Sequence, residues 1–332
     1  MPSSQATLRR TVAQLEGRRL TYAVATVVAI GEAAAMLTFP LVQQSFYDRV
    51  LIGGETEILA PVLLAMLALV VTMLAAKAVS GYLYASVGEA VKVDVRSQLT
   101  QAELSRSLTA GDREATGELV SVATNDVAKM GELYRRVFGP GVVQVLRLVG
   151  TLAVLAVIDP RLLVVALPLL ALYAAVPIGV TPGLRRTGEM VQQRTGQLIT
   201  TLQEGFSGTR DIKAFGRVGW GVARQRTSGD ALREAQLRLT RLELLSSGSF
   251  IAYWLSVVGI SWYGALAVSE NRLTVGGLLA LLLYFGQLQQ PVSFLVKLNN
   301  RLQVGLAASA RVFAHLDQPP AAHTAAGGRP PR

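Results

Sequence analysis

Apolar residues along the chain gather into six long runs: Leu20–Leu41, Ile58–Ala85, Val137–Ile158, Leu162–Val180, Leu244–Ser269 and Leu273–Val296. The hydrocarbon core of a bilayer is about 30 Å thick, and a helix needs about 20 apolar residues to cross it. Each run is close to that length or exceeds it. The last three hold no charged residue, and the first three hold one each: Glu32, Lys77 and Arg147. Runs this long are not barrel strands, and a helix is the other structure that satisfies its backbone in lipid. The pattern predicts an all-α membrane protein with six transmembrane helices. The first run is too long for a cleavable signal peptide and has no small-residue cleavage site, so it reads as a retained first span.

The connections are lopsided. Asp159-Pro160-Arg161 turns the chain between the third and fourth runs, and Ser269 to Thr274 joins the fifth to the sixth. The connections after the second and fourth runs are far longer and carry helical periodicity. Val87, Val91, Val95 and Leu99 form an apolar stripe, with Lys92, Asp94, Arg96 and Gln98 between them. Residues from Thr187 to Arg241 show similar spacing. The membrane helices are therefore expected to continue past the bilayer, and about 25 extra residues would project them almost 40 Å.

Two turn elements cap these extensions. In the first, Thr109-Ala110-Gly111-Asp112 breaks the stripe and Thr116-Gly117-Glu118-Leu119 restarts a helix. In the second, Gly208, Gly216, Gly219 and Gly221 surround Asp211-Ile212-Lys213-Ala214-Phe215. They read either as solvated hairpin tips or as contact points for a cytoplasmic partner. Phe215 and Trp220 favour the second reading, because aromatic residues commonly anchor interfaces.

Charge orients this plan. Of the 32 basic residues, 27 lie in the N-terminal segment, the two long connections and the C-terminal stretch. The three short loops hold only Arg49, Arg161 and Arg272. Cytoplasmic loops are enriched in Lys and Arg, so both termini are expected in the cytoplasm and the plasma or inner membrane is the expected location. The net charge of +10 then reflects topology and contact with anionic membrane lipids, and argues for no nucleic acid partner. The chain has 332 residues, of which 16% are charged, against about a quarter in soluble proteins. It has no cysteine, and its two histidines, His315 and His323, lie near the C-terminus. That excludes disulfides, thiolate metal sites and a histidine-based metal or catalytic centre in the bundle.

Ionisable residues at membrane depth are costly and suggest function. Glu32 lies near the middle of the first run. Arg147 shares a helix face with Gln144 and Thr151. Lys77 is in line with Ser80, Gly81 and Tyr84, and the sixth run places Tyr284, Gln287 and Pro291 on one stripe. Glu32, Arg147, Gln144, Tyr284 and Gln287 are the candidate pathway residues. The competing reading is structural: Glu32 pairs with Lys77 or Arg147 to hold helices in register. Pro40, Pro168, Pro177 and Pro291 are expected to mark kinks, with freed carbonyls re-satisfied locally.

Three stretches carry a family resemblance. Thr116-Gly-Glu-Leu-Val-Ser-Val-Ala-Thr-Asn-Asp126-Val resembles the first intracellular loop of ATP-binding-cassette (ABC) exporters, and Glu204-Gly-Phe-Ser-Gly208-Thr-Arg-Asp-Ile-Lys213-Ala-Phe215-Gly-Arg217 resembles their second. Leu273-Thr-Val-Gly276, Leu283-Tyr-Phe with Pro291, and Ala310-Arg311-Val-Phe313 with Leu316-Asp317-Gln-Pro319 are similar to the last helix and exit linker. The resemblance covers about residues 18 to 319. It implies an exporter-type transmembrane domain over 20–316, preceded by a cytoplasmic segment (1–19) and followed by a flexible linker (317–332). It further implies pairing with a second transmembrane half and coupling to an ABC ATPase domain that binds ATP and Mg. The implied coupling elements are Thr109–Thr116, with Gly111, Asp112 and Arg113, and the stretch around Phe215–Arg224, with Phe215, Gly216, Arg217 and Trp220.

Two departures stand out. Leu108, Thr109 and Ala110 occupy a position usually aromatic, and Val218 occupies one usually acidic. No Gly-Lys dipeptide occurs in the sequence, so the phosphate loop G-x-x-x-x-G-K-[ST] is missing and no cofactor site is expected in this chain. The ATPase is then either a separate polypeptide or a fused domain. Other readings stay open: a gradient-driven carrier using Glu32, a siderophore-type importer on the same fold, or a bundle that transports nothing. Lipids, hydrophobic drugs, peptides and siderophores all fit as substrates.

Overall fold

A computed structural model describes residues 4–105 and 113–318. Among these, twelve α-helices follow one another: α1 (Ser4–Ala13), α2 (Arg19–Ser45), α3 (Leu59–Leu104), α4 (Arg113–Ser121), α5 (Val127–Leu133), α6 (Gly139–Ile158), α7 (Pro160–Ser207), α8 (Thr209–Ala214), α9 (Val218–Ser246), α10 (Gly248–Ser269), α11 (Val275–Gln287) and α12 (Gln289–Leu316). Among the described residues six helical stretches are long and apolar enough to cross a membrane; five contain one run each, and the sixth, from Val275, covers all but the first two residues of the last run. The expected extensions are present: α3 has 46 residues and α7 has 48, about 70 Å each, more than twice the thickness of a bilayer core. Of the linker expected over 317–332 only Asp317 and Gln318 are described, and residues 109–112 of the first turn element lie outside the described residues.

Two compact units form, one of Met1–Ile158 with Ala267–Arg332 and the other of Asp159–Leu266. In the first, α2 packs along α3 through Ala25, Ala29 and Ala33, which are buried against Tyr84 and Val143. Small residues at this spacing allow close backbone approach where lipid supplies no hydrophobic drive between helices. The opposite surface of α3 exposes Leu63, Leu64, Leu67, Val71 and Leu74, as a lipid-facing stripe requires. Beyond the apolar run, Val87, Val91, Val95 and Leu99 are all buried, against Val122, Val127, Met130, Tyr134, Val312 and Phe313. The predicted stripe is thus a core position for position.

Polar contacts tie this core. The Tyr134 hydroxyl donates to the Thr11 carbonyl at 2.5 Å and the Tyr22 hydroxyl to the Tyr134 carbonyl at 2.8 Å. Gly139 lies where a methyl group would sit 2.3 Å from Tyr84 Cε1, so only glycine admits that ring. Arg311 forms a two-bond fork on Asp126 at 2.7 and 2.6 Å, and Arg10 does the same on Asp317 at 2.5 and 2.6 Å. Arg311 holds the buried Asp126 carboxyl below the ordinary carboxylate range.

One detail differs from the sequence reading. The sixth run is not one helix: it breaks at Leu288 between α11 and α12. Pro291 has no N–H to offer the Gln287 carbonyl, so the helical ladder is interrupted one turn before it. Pro168 and Pro177, expected as kinks, lie inside a continuous α7 together with Pro182; the Thr181 hydroxyl donates to the Pro177 carbonyl at 2.6 Å.

In the second unit, α7 and α9 pair as a long hairpin closed by α8. Its membrane end is fixed by Asp159, which caps α7 by accepting from the Arg161 amide at 2.9 Å and receives the Tyr263 hydroxyl at 2.6 Å. Farther along, Arg224 reaches Glu204 across the hairpin at 2.6 Å.

Candidate pathway cluster and coupling tip

The deepest charges of the first unit meet. Arg147 on α6 donates from Nη2 to Glu32 Oε1 on α2 at 2.6 Å, with side chains only 10% and 13% exposed. Lys77, the other candidate partner of Glu32, is exposed. Gln290 on α12 accepts from Arg147 Nη1 at a long 3.5 Å. Arg147 Nε and Gln144 Oε1 are buried with no hydrogen-bond partner among the described residues. The gap bounded by Ala33, Met36, Leu37, Arg147, Thr151 and Gln287 has no room for a water molecule. The cluster is therefore an ion pair in an apolar surround with hydrogen-bonding capacity left over.

Tyr284 and Gln287 join this cluster through the backbone of α2. Pro40 cannot donate to the carbonyl of Met36, four residues earlier. Gln287 Nε2 fills the vacancy, donating to Met36 O at 2.9 Å. One helical turn away on the same face, the Tyr284 hydroxyl donates to Leu37 O at 2.5 Å. Gln287 is thus matched to the carbonyl that Pro40 releases on α2, and Tyr284 to the carbonyl of the next residue. Sequence reasoning placed proline and donors separately; their pairing, and the participation of Gln290, required the fold. Gln290 follows Gln287 by three residues, a spacing that could have signalled it.

Just beyond α2, Asp48 in a π-helical turn (Phe46–Ile52) accepts from the Gly276 amide at 2.8 Å and the Thr274 hydroxyl at 2.6 Å. It thereby supplies a negative charge to the N-terminus of α11, where the helix dipole favours one.

The second turn element forms the far end of the α7–α9 hairpin. Phe215 closes α8 and is 81% exposed. Gly216 follows in the left-handed region with φ +64, which suits glycine, and Arg217 precedes α9. Residues 215–224 are therefore the reversal and the first turns of α9. Trp220 is half exposed, with the Arg224 guanidinium 5.4 Å from its ring centroid. The tip presents two aromatic rings and a basic rim to solvent. Gly111 and Asp112 lie outside the described residues, as does the side chain of Arg113.

Six apolar helices with extensions of this length, two of them closed by a glycine-bearing tip, define a multi-pass membrane protein of the ABC exporter fold. Residues 22–292 match the family described as the ABC transporter transmembrane region, and the chain belongs to that family. Its relatives include an uncharacterized ABC transporter ATP-binding protein of Bacillus subtilis, 24% identical over 88% of this chain and 49% of its own length. A mitochondrial potassium channel ATP-binding subunit of Pongo abelii is 28% identical over 90% of this chain and 42% of its own. An ATP-dependent lipid A-core flippase of Syntrophus aciditrophicus is 26% identical over 88% and 48%. The chain thus spans about half the length of the curated relatives it matches.

Proposed function

We propose that this chain is the membrane-spanning part of an ATP-driven exporter. Its ATP and Mg are bound by an ABC ATPase domain outside these 332 residues, and its pathway is completed by a second transmembrane half. The observation that carries the reading is the solvent-exposed Phe215–Trp220 tip, held at the end of a long helical hairpin. An aromatic pair exposed so far from the apolar runs has no lipid to cover it, and it matches the requirement of a partner groove. In this reading Phe215, Gly216, Arg217 and Trp220 contact the ATPase domain, as do Gly111, Asp112 and Arg113 from the first turn element. The tips are cytoplasmic by the distribution of Lys and Arg, and the long helices carry ATP-driven movement into the membrane.

Glu32, Arg147, Gln144, Tyr284 and Gln287 line or brace the pathway in this reading. The unpartnered Arg147 Nε and Gln144 Oε1 supply its spare polar groups. A relative that is a lipid A-core flippase supports an amphipathic, lipid-like substrate with a polar head and an apolar body. The gradient-driven alternative is disfavoured by Glu32 itself, whose carboxylate is already engaged by Arg147 at 2.6 Å.

The test is ATP hydrolysis and partner retention by the complete transporter. Phe215→Ala is expected to weaken retention of the ATPase, or to uncouple its turnover from substrate, by about ten-fold or more, as loss of an interface hot spot of roughly 2 kcal/mol predicts. Wild-type retention and stimulation in that variant would refute the assignment of the tip.

A further inference from the structure

A second polar site lies where α5 and the turn after it face α12. Gly305 makes it possible: a methyl there would lie 2.4 Å from Leu133 Cδ2, so glycine lets the two elements close on each other below a groove of about 270 Å³. Leu133 and Val304 line its apolar wall, and Lys129, Arg136, Asn300 and Arg301 its polar rim. Its depth follows from the sequence. Arg136 immediately precedes the third apolar run, and Arg301 lies five residues beyond the end of the sixth, or about 7–8 Å along a helix. The groove therefore sits at the membrane–water boundary, on the side of the helical extensions.

Its charge is unbalanced. Glu132 is shared by Arg136 at 2.6 Å and Arg135 at 3.5 Å. Asp126 is engaged by Arg311 at 2.6 Å with Lys129 at 3.5 Å. Arg301 stands 5.8 Å from the centre of the Phe294 ring and makes no ion pair among the described residues. Three cations, Lys129, Arg136 and Arg301, thus line the groove with a single carboxylate, Glu132, that is already engaged. Such an excess, beside an apolar wall at headgroup level, is complementary to a ligand with a phosphate at one end and acyl chains at the other.

We propose that this groove binds the headgroup of an anionic phospholipid, with Lys129, Arg136 and Arg301 around the phosphate and the acyl chains along the exposed Val304. The inference rests on the spans crossing a bilayer and not on ATP-driven transport, so it can fail or stand separately.

The complete transporter, without nucleotide, would be equilibrated in nanodiscs of equal phosphatidylglycerol and phosphatidylcholine, and its retained lipids counted by native mass spectrometry. Phosphatidylglycerol should be retained in preference. Arg301→Gln and Lys129→Gln should each lower its retention about five-fold, the contribution of one cation at an anionic surface. Glu132→Gln, which removes the competing carboxylate, should raise it. That opposite sign separates a binding effect from misfolding. Equal retention of phosphatidylcholine, or loss in all three variants alike, would overturn the proposal. Displacement of the lipid by inorganic phosphate with no recovery in fresh nanodiscs would assign the site to a soluble anion and overturn the lipid as its occupant.

Discussion

Removing the carboxylate of Glu32 strands the guanidinium of Arg147. In the folded chain that guanidinium is 10% exposed, has a single strong acceptor at 2.6 Å, and leaves Nε unpartnered. Gln290, at 3.5 Å, is too far to replace the lost bond. Glu32→Ala therefore leaves a buried charge almost uncompensated, and the expected cost is about 3 kcal/mol, the low end for breaking a buried pair. That is a drop of roughly a hundred-fold in the folded-to-unfolded ratio. Glu32→Gln keeps a neutral acceptor of the same shape and should cost about 1 kcal/mol. Arg147→Met removes the cation with little change in volume and leaves the Glu32 carboxyl without its partner. The double variant Glu32→Ala/Arg147→Met holds no charge at all and should be more stable than Glu32→Ala alone. Thermal unfolding of the four proteins in one detergent closes the cycle. Losses that simply add in the double variant would refute the pair as the reason for burying these two residues.

Other expectations follow from single contacts. Gln287→Leu should cost about 1–3 kcal/mol by orphaning the Met36 carbonyl. In a Pro40→Ala background the restored backbone N–H can bond that carbonyl and most of the loss should vanish, so equal losses in both backgrounds, read by thermal unfolding, would contradict the proline match. The carboxyl of Asp126 is held below the ordinary carboxylate range by Arg311. Its stabilisation is thus present above that range and lost as pH falls through the lowered value. Asp126→Asn should be less stable than wild type at neutral pH, by about 1–2 kcal/mol since Arg311 is half exposed and screened, and the two should converge in acid. A constant gap across that pH series would exclude the linkage.

The six crossings, the long extensions and the core stripe were legible in the sequence because each depends on neighbours three and four residues apart. A run such as Leu162–Val180 states its environment by itself, and Val87, Val91, Val95 and Leu99 lie on one face whatever the partner is. Short motifs around Asp126, Asp211 and Pro291 carried the family for the same reason. What the sequence left undecided were pairings across long separations. It offered both Lys77 and Arg147 to Glu32, and only the packing of α2 on α6 selected Arg147. It marked Pro40, Tyr284 and Gln287 without joining them, because a freed carbonyl finds its donor through the space between helices. The groove of Lys129, Arg136 and Arg301 was visible only as scattered positive charge until Gly305 let α12 close on Leu133. Helical periodicity is written in consecutive residues. The choice among partners of the same chemistry belongs to tertiary contact, where a single glycine or proline decides which side chains can meet.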